Sequence, residues 1–130
     1  MIEQIYNYFT IETLYMWVNL GVLPFWLMII VFPRSHLCKY LVTSIFPFFI
    51  LSGAYIFVLY RSYLLGYDFT GNFSLYLGLD ELSRLFDSYL YLMIFWTHFV
   101  AFNLFIGGWI VKDAQKFNIN KILLAIPLII

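Results

Sequence analysis

The chain has 130 residues, 64% of them hydrophobic and only 11% charged, with seven basic residues balancing seven acidic ones. An ordinary soluble domain carries about 45–50% apolar and about 25% charged residues, so too little polar surface is left here to coat a water-soluble globule. A neutral chain with no Lys/Arg-rich face also excludes nucleic acid as a partner, which leaves membrane lipids, a second copy of the chain or another membrane protein.

The opening stretch MIEQIYNYFTIETL carries Glu3 and Glu12 and no Lys or Arg. Signal and transit peptides are basic, so no cleavable targeting segment is expected. Three apolar runs follow: 14–32 (LYMWVNLGVLPFWLMIIVF), 40–60 (YLVTSIFPFFILSGAYIFVLY) and 89–111 (YLYLMIFWTHFVAFNLFIGGWIV). None contains Asp, Glu, Lys or Arg. A helix rising about 1.5 Å per residue needs about 20 such residues to cross a hydrocarbon core of about 30 Å, so each run predicts a complete span. The expected fold is a single all-α transmembrane helical bundle over residues 1–130.

Between the first two runs lie Arg34, His36, Cys38 and Lys39. One cysteine cannot form an internal disulfide; at a membrane interface it is either a free thiol or an acylation site. After the second run, the connection 61–88 is turn-rich around Gly66, Asp68, Gly71 and Asn72. It then shows Leu79, Leu82, Leu85 and Phe86 at helical spacing in LDELSRLF. That segment is either a short helix lying along the interface or a plain linker. Its Asp80 and Glu81 stand within reach of Arg84, and Asp87 or Ser88 is placed to cap the third span, which meets the interface at Lys112 and Asp113. The last segment, ILLAIPLII (122–130), is nine residues and about 14 Å long. It is either a half-span or, as the lack of a charged or aromatic anchor at its end favours, an incomplete fourth span of a chain that has been cut.

Charge orients the spans. Arg34, Lys39, Lys112, Lys116 and Lys121 all fall on one side, whereas on the other Arg61 and Arg84 are outnumbered by Asp68, Asp80, Glu81 and Asp87. Short cytoplasmic loops collect Lys and Arg, so the 33–39 and 112–121 loops are expected in the cytoplasm and the N-terminus outside. Without a transit peptide, the expected location is a bacterial inner membrane.

Inside the third span His98 lies two residues, about 3 Å, from the midpoint at Val100. An ionisable group at that depth turns to a partner or a cavity; it is either a structural hydrogen-bonding group or, if there is catalysis, the one intramembrane general acid or base on offer. At about 100° per residue His98 shares a face with Phe102, Phe105 and Trp109, and Asn103 one with Trp96, Val100 and Gly107, so the two polar groups diverge by about 140°. Trp96, Asn103, Gly107, Trp109 and, from the first span, Asn19 are candidate ligand-contacting residues. Asn19 and Asn103 are alternatively a cross-helix hydrogen-bonded pair, and Gly107-Gly108 a close-packing seam. Pro24, Pro47 and Pro127 each free a carbonyl four residues upstream and predict kinks. Two histidines at different depths, one cysteine and no carboxylate inside a span supply no metal or haem ligand set, so no metal or other cofactor is expected.

The residues NLGVLPFWLMIIVFP (19–33), LDELSRLF (79–86) and WTHFVAFNLFIGGWIVKDA (96–114) together resemble the abscisic-acid-deficient-four-like membrane proteins, over nearly the whole chain. Pro24, Trp26, Pro33, Trp96, His98, Leu104, Phe105, Gly107, Trp109, Asp113 and Ala114 match that family's pattern. Asn103 departs from it, standing where the family has Asp. An amide does not ionise near pH 7, so a proton-transfer role of that position does not carry over. The resemblance implies a four-span bundle with a Gly-Pro-Gly-like turn in its last span. It also implies a link to xanthophyll chemistry, because plant members are tied to making neoxanthin. The expected function is binding or modifying an isoprenoid or carotenoid-like lipid; the alternative is a non-enzymatic membrane assembly factor or carrier.

Overall fold

The computed structural model describes residues 1–129, and for Ile2, Ile5 and Tyr6 the backbone alone; Ile130, the end of the predicted fourth segment, lies outside the described residues. Helices account for the fold and no strand occurs among the described residues. A short α1 (Ile2–Tyr8) leads into α2 (Ile11–Val31), whose first turn is capped by Thr10, with the Thr13 amide donating to Thr10 Oγ1 at 3.2 Å. A π-helical turn (Cys38–Val42) precedes α3 (Phe46–Leu64). A 3-10 segment (Phe69–Tyr76), α4 (Leu79–Phe86), the long α5 (Tyr89–Lys116) and α6 (Lys121–Ile129) complete the order.

Three segments, Ile11–Val31, Cys38–Leu64 and Tyr89–Lys116, are long and apolar enough to cross a membrane. The predicted spans are all present, with two differences at their ends. Pro47 was expected to kink the second span; it stands in the first turn of α3 instead, where the amide it lacks has no intrahelical partner to lose. The helix is interrupted upstream, at residues 43–45. The third span was expected to stop at Lys112, yet α5 runs on to Lys116. Hydropathy marks where lipid ends; the helix ends where its cap is.

That cap is Asn118, at φ 53°, the left-handed position after the last turn. The Ile119 amide reaches back to the Ala114 carbonyl (2.9 Å) and the Asn118 amide to the Gln115 carbonyl (3.3 Å), which is a Schellman closure. Asn118 Oδ1 then accepts from Arg34 Nη2 at 2.9 Å, and the same nitrogen donates to the Ile119 carbonyl at 3.1 Å. Gln115 Nε2 also donates to the Pro33 carbonyl. One end of the bundle is thus laced together by the α2 exit and the α5–α6 turn.

α5 is the hub, lying against α2, α3, α4 and α6. Its most apolar stretch is 39% buried against protein, compared with 22% for each of the other two spans. Ile94, Thr97, Val100, Leu104, Gly107 and Val111 face inward, toward Val18, Val22 and Ile29 of α2 and Leu51 and Val58 of α3. Phe95, Phe102, Phe105 and Trp109 of the same helix remain exposed. In lipid this outer face carries no penalty, since hydrocarbon solvates Phe as readily as a protein core does. The buried hydroxyls of Ser62 and Thr97 donate to the carbonyls of Val58 and Met93, both at 2.8 Å, so neither is left unmet.

On the other end α4 forms as predicted, with Glu81 rather than Asp80 pairing Arg84 at 3.0 Å. Ser88, not Asp87, caps α5, accepting from the Tyr91 amide at 3.4 Å. Asp68 starts the 3-10 segment, and hydrogen bonds from the Thr70 hydroxyl (2.6 Å) and amide (2.9 Å) hold its carboxyl below the usual carboxylate range.

Two outcomes follow from these caps. Asn118→Ala puts an ordinary side chain in the left-handed region and should lower stability in detergent by about 1–2 kcal/mol, whereas Asn118→Gly keeps the turn and should lose less; equal losses in thermal melts would locate the effect in the Arg34 bond instead. A depressed carboxyl contributes stability that is present above the unfolded value and lost as pH falls through the folded one. Acidification below 3.8 should therefore loosen the 68–76 turn, and Thr70→Val should shift that loosening to higher pH, read by amide exchange at residue 70.

Candidate functional site

α2 and α5 run in the same direction, and two side-chain meetings fix them against each other. In the first, Trp96 Nε1 donates to Asn19 Oδ1 at 3.1 Å, while Asn19 Nδ2 donates to the Tyr15 carbonyl at 2.7 Å. The Tyr15 ring lies 5.8 Å from Trp96, which in turn stacks on Phe99 at 5.3 Å. In the second, Trp26 lies over Gly107: a Cβ added there would stand 3.1 Å and 3.3 Å from two indole carbons. Gly108 meets nothing within 4 Å. The predicted glycine seam is therefore a single residue wide, because only Gly107 turns toward α2.

Between these two meetings opens a cleft of about 520 Å³, within the range of ligand sites. α2 lines it with Asn19, Val22 and Trp26, α5 with Phe99, Asn103 and Gly107, and α6 closes it with Pro127 and Leu128. Asn103 is half-buried on this wall, and its amide has no hydrogen-bond partner among the described residues. The expected Asn19–Asn103 pair does not form. Asn103 is seven residues, about 10 Å, beyond Trp96 along α5, and Asn19 is taken up at the level of Trp96.

Of the residues singled out from sequence, Asn19, Asn103 and Gly107 line this cleft, and Trp96 reaches it only through its bond to Asn19, its own ring lining a separate hollow of about 450 Å³ with Tyr15 and Met93. His98 and Trp109 do not. His98 is exposed on the α3 side of α5, its ring edge-on to Tyr55 with centroids 4.5 Å apart. Its Nδ1 is 3.1 Å from the Ile94 carbonyl, which can only accept, so the neutral ring carries its proton on Nδ1 and presents Nε2 as a bare acceptor. Trp109 borders a different hollow of about 610 Å³, shared with Phe48, Phe105 and Lys112. His98 and Asn103 thus lie on different sides of α5, as helix pitch predicts.

Tyr55 and Leu128 escaped sequence reasoning, which marks Pro127 as a kink but not as a cleft residue. Tyr55 is one of eleven tyrosines and carries no local signal, and the two α6 residues become cleft walls only through the reversal at Asn118.

A family model described as ABA DEFICIENT 4-like matches residues 13–130. Protein ABA DEFICIENT 4, chloroplastic, of Arabidopsis thaliana is similar to this chain, 30% identical over 103 residues. That alignment takes in 77% of this chain and 46% of the plant protein, so the chain spans about half the length of the curated relative it matches. No solved structure matches.

The two glycines provide a test of the cleft geometry. Gly107→Val should cost about 1–3 kcal/mol by driving a side chain into Trp26, while Gly108→Ala should change thermal stability little. Comparable losses for both would contradict the one-residue seam.

Proposed function

Because the chain belongs to the ABA DEFICIENT 4-like family, whose plant members are related to carotenoid biosynthesis, we infer that it binds an isoprenoid or carotenoid-like lipid in the cleft between α2, α5 and α6. The observation that carries this reading is the unmatched Asn103 amide on a wall whose other polar side chain, Asn19, is already bonded. An amide in hydrocarbon without a partner costs several kcal/mol, and a hydroxyl, epoxide or keto oxygen on a long apolar molecule removes that cost while its chain rests on Phe99 and Trp26. Asn103 contributes one acceptor and two donors, enough to hold such an oxygen in one orientation.

The geometry favours holding over transforming. His98, the candidate general acid or base, projects from the far side of α5 and does not line the cleft that Asn103 lines. This arrangement is what supports a carrier or membrane assembly role. The enzymatic reading is supported by the bare Nε2 of His98, which gives a proton acceptor at mid-membrane depth to a substrate arriving between α3 and α5. We place the protein in a bacterial cell membrane as a bacterial-type member, with the N-terminus outside and the Lys/Arg-rich loops in the cytoplasm.

Purification in mild detergent from a carotenoid-producing host, followed by solvent extraction and mass spectrometry against a mock preparation, tests the binding reading. Near-stoichiometric enrichment of a carotenoid or isoprenoid is expected, lost in Asn103→Leu and retained in His98→Ala. Recovery of bulk phospholipid alone would leave the assembly role and remove the ligand. Loss of turnover in His98→Ala with the ligand still bound would instead establish the enzymatic reading.

A further inference from the structure

The two ends of the bundle differ in charge, and at the basic end the charges converge. Arg34, Lys39, Lys112, Lys116 and Lys121 stand there with Asp113 as the one acidic residue. Arg34, Ser35, His36 and Lys39 from the α2–α3 connection and Gln115 and Asn118 from the α5 terminus line a single hollow of about 330 Å³. A second hollow of about 560 Å³ shares Arg34, Ser35 and Asn118 and continues past Val31 and Phe32 to Lys121.

The geometry points to this corner as a binding site for the phosphate of an anionic phospholipid. Three features argue for it. The guanidinium of Arg34 is oriented in advance by its Nη2 bonds to Asn118 and Ile119, and its Nε and Nη1 make no bond among the described residues. A planar fork held in this way is the preferred partner of a phosphate. The start of α6 faces the same corner, with Asn120 Oδ1 accepting the Ile122 amide at 3.0 Å, and its positive dipole end adds to the field. Directly below the polar cup Phe32, 63% exposed, and Val31, 47% exposed, offer an apolar wall along which an acyl chain can lie. That wall selects a lipid over a free anion.

Orientation in the membrane requires only that Lys and Arg collect on one side. It does not require two separate loops to close on one cup, nor the hydroxyl and amides of Ser35, Gln115 and Asn118 to line it. Basic pockets between helix ends are a recurring means of holding acidic headgroups. The site lies beyond the C-terminal end of α2, away from Asn19 near the middle of that helix, and does not rest on the carotenoid reading.

The test uses the full chain in detergent, delipidated and then supplied with phosphatidylglycerol, with phosphatidylcholine of the same acyl chains, or with inorganic phosphate alone, and read by native mass spectrometry and thermal melting. Phosphatidylglycerol should be retained and should raise the melting midpoint where phosphatidylcholine and phosphate do not. The double variant His36→Gln, Lys39→Gln leaves the Arg34 clasp in place and should weaken that preference about fivefold or more. Lys112→Gln removes a charge from the same end but outside the hollow and should preserve it. Equal losses in both variants would mean a diffuse field and no site, and would overturn the proposal. So would a wild type that does not discriminate between the two lipids. An equal shift from inorganic phosphate would overturn the lipid assignment in favour of a free-anion site.

Discussion

Lipid offers helices no hydrophobic reason to associate, and that constraint makes α5 the centre of the molecule. With apolar surface equally well solvated inside and outside the bundle, what remains is close van der Waals packing and the matching of polar groups. α5 meets both requirements on one side, where Gly107 admits the Trp26 ring and Trp96 donates to Asn19. Its other side carries large aromatic residues that remain largely exposed, such as Phe102 and Trp109. The cleft exists because these two contacts are about eleven residues apart along α5 and nothing as large as a tryptophan fills the interval.

Polar groups within the spans then divide by how they are matched. Thr97, Ser62 and His98 turn back to carbonyls of their own helices, and Asn19 bridges to its own helix and to Trp96. Asn103 alone among the polar residues lining the cleft is left without a protein partner among the described residues. With the buried hydroxyls of Ser62 and Thr97 and one of the two span amides bonded, the remaining amide faces a largely apolar concavity. That contrast, more than the volume of the concavity, distinguishes it from an ordinary gap between helices.

Much of this was legible in the sequence, and the parts that were not share a cause. Composition and run length gave three spans, because the lipid solvent acts on each residue independently of its neighbours. Helical pitch placed His98 and Asn103 on different faces, since angular position within one helix needs no knowledge of another. The register between helices is a different matter: that Asn19 meets Trp96 and not Asn103, and that Gly107 meets Trp26 while Gly108 meets nothing, depends on rotations and offsets set by packing. Helix ends were misplaced at Pro47 and Lys112 for a related reason. Hydropathy reports the membrane boundary, whereas the backbone stops where a cap such as Asn118 is available.

Asn103 stands where the resemblance read from the sequence implies an acidic residue, and that difference bears on what the cleft is suited to do. A carboxylate at this depth must either ionise at a cost of several kcal/mol or take up a proton and become a donor, so its properties depend on pH and on a nearby cation. An amide avoids both demands. It stays neutral, offers donors and an acceptor together, and can orient an oxygen-bearing molecule without exchanging a proton with it. With His98 on a different face and bonded through Nδ1, no ionisable group among the described residues lines this cleft. A neutral amide on a wall that also carries Trp26 and Phe99 thus offers hydrogen bonds with no proton to exchange.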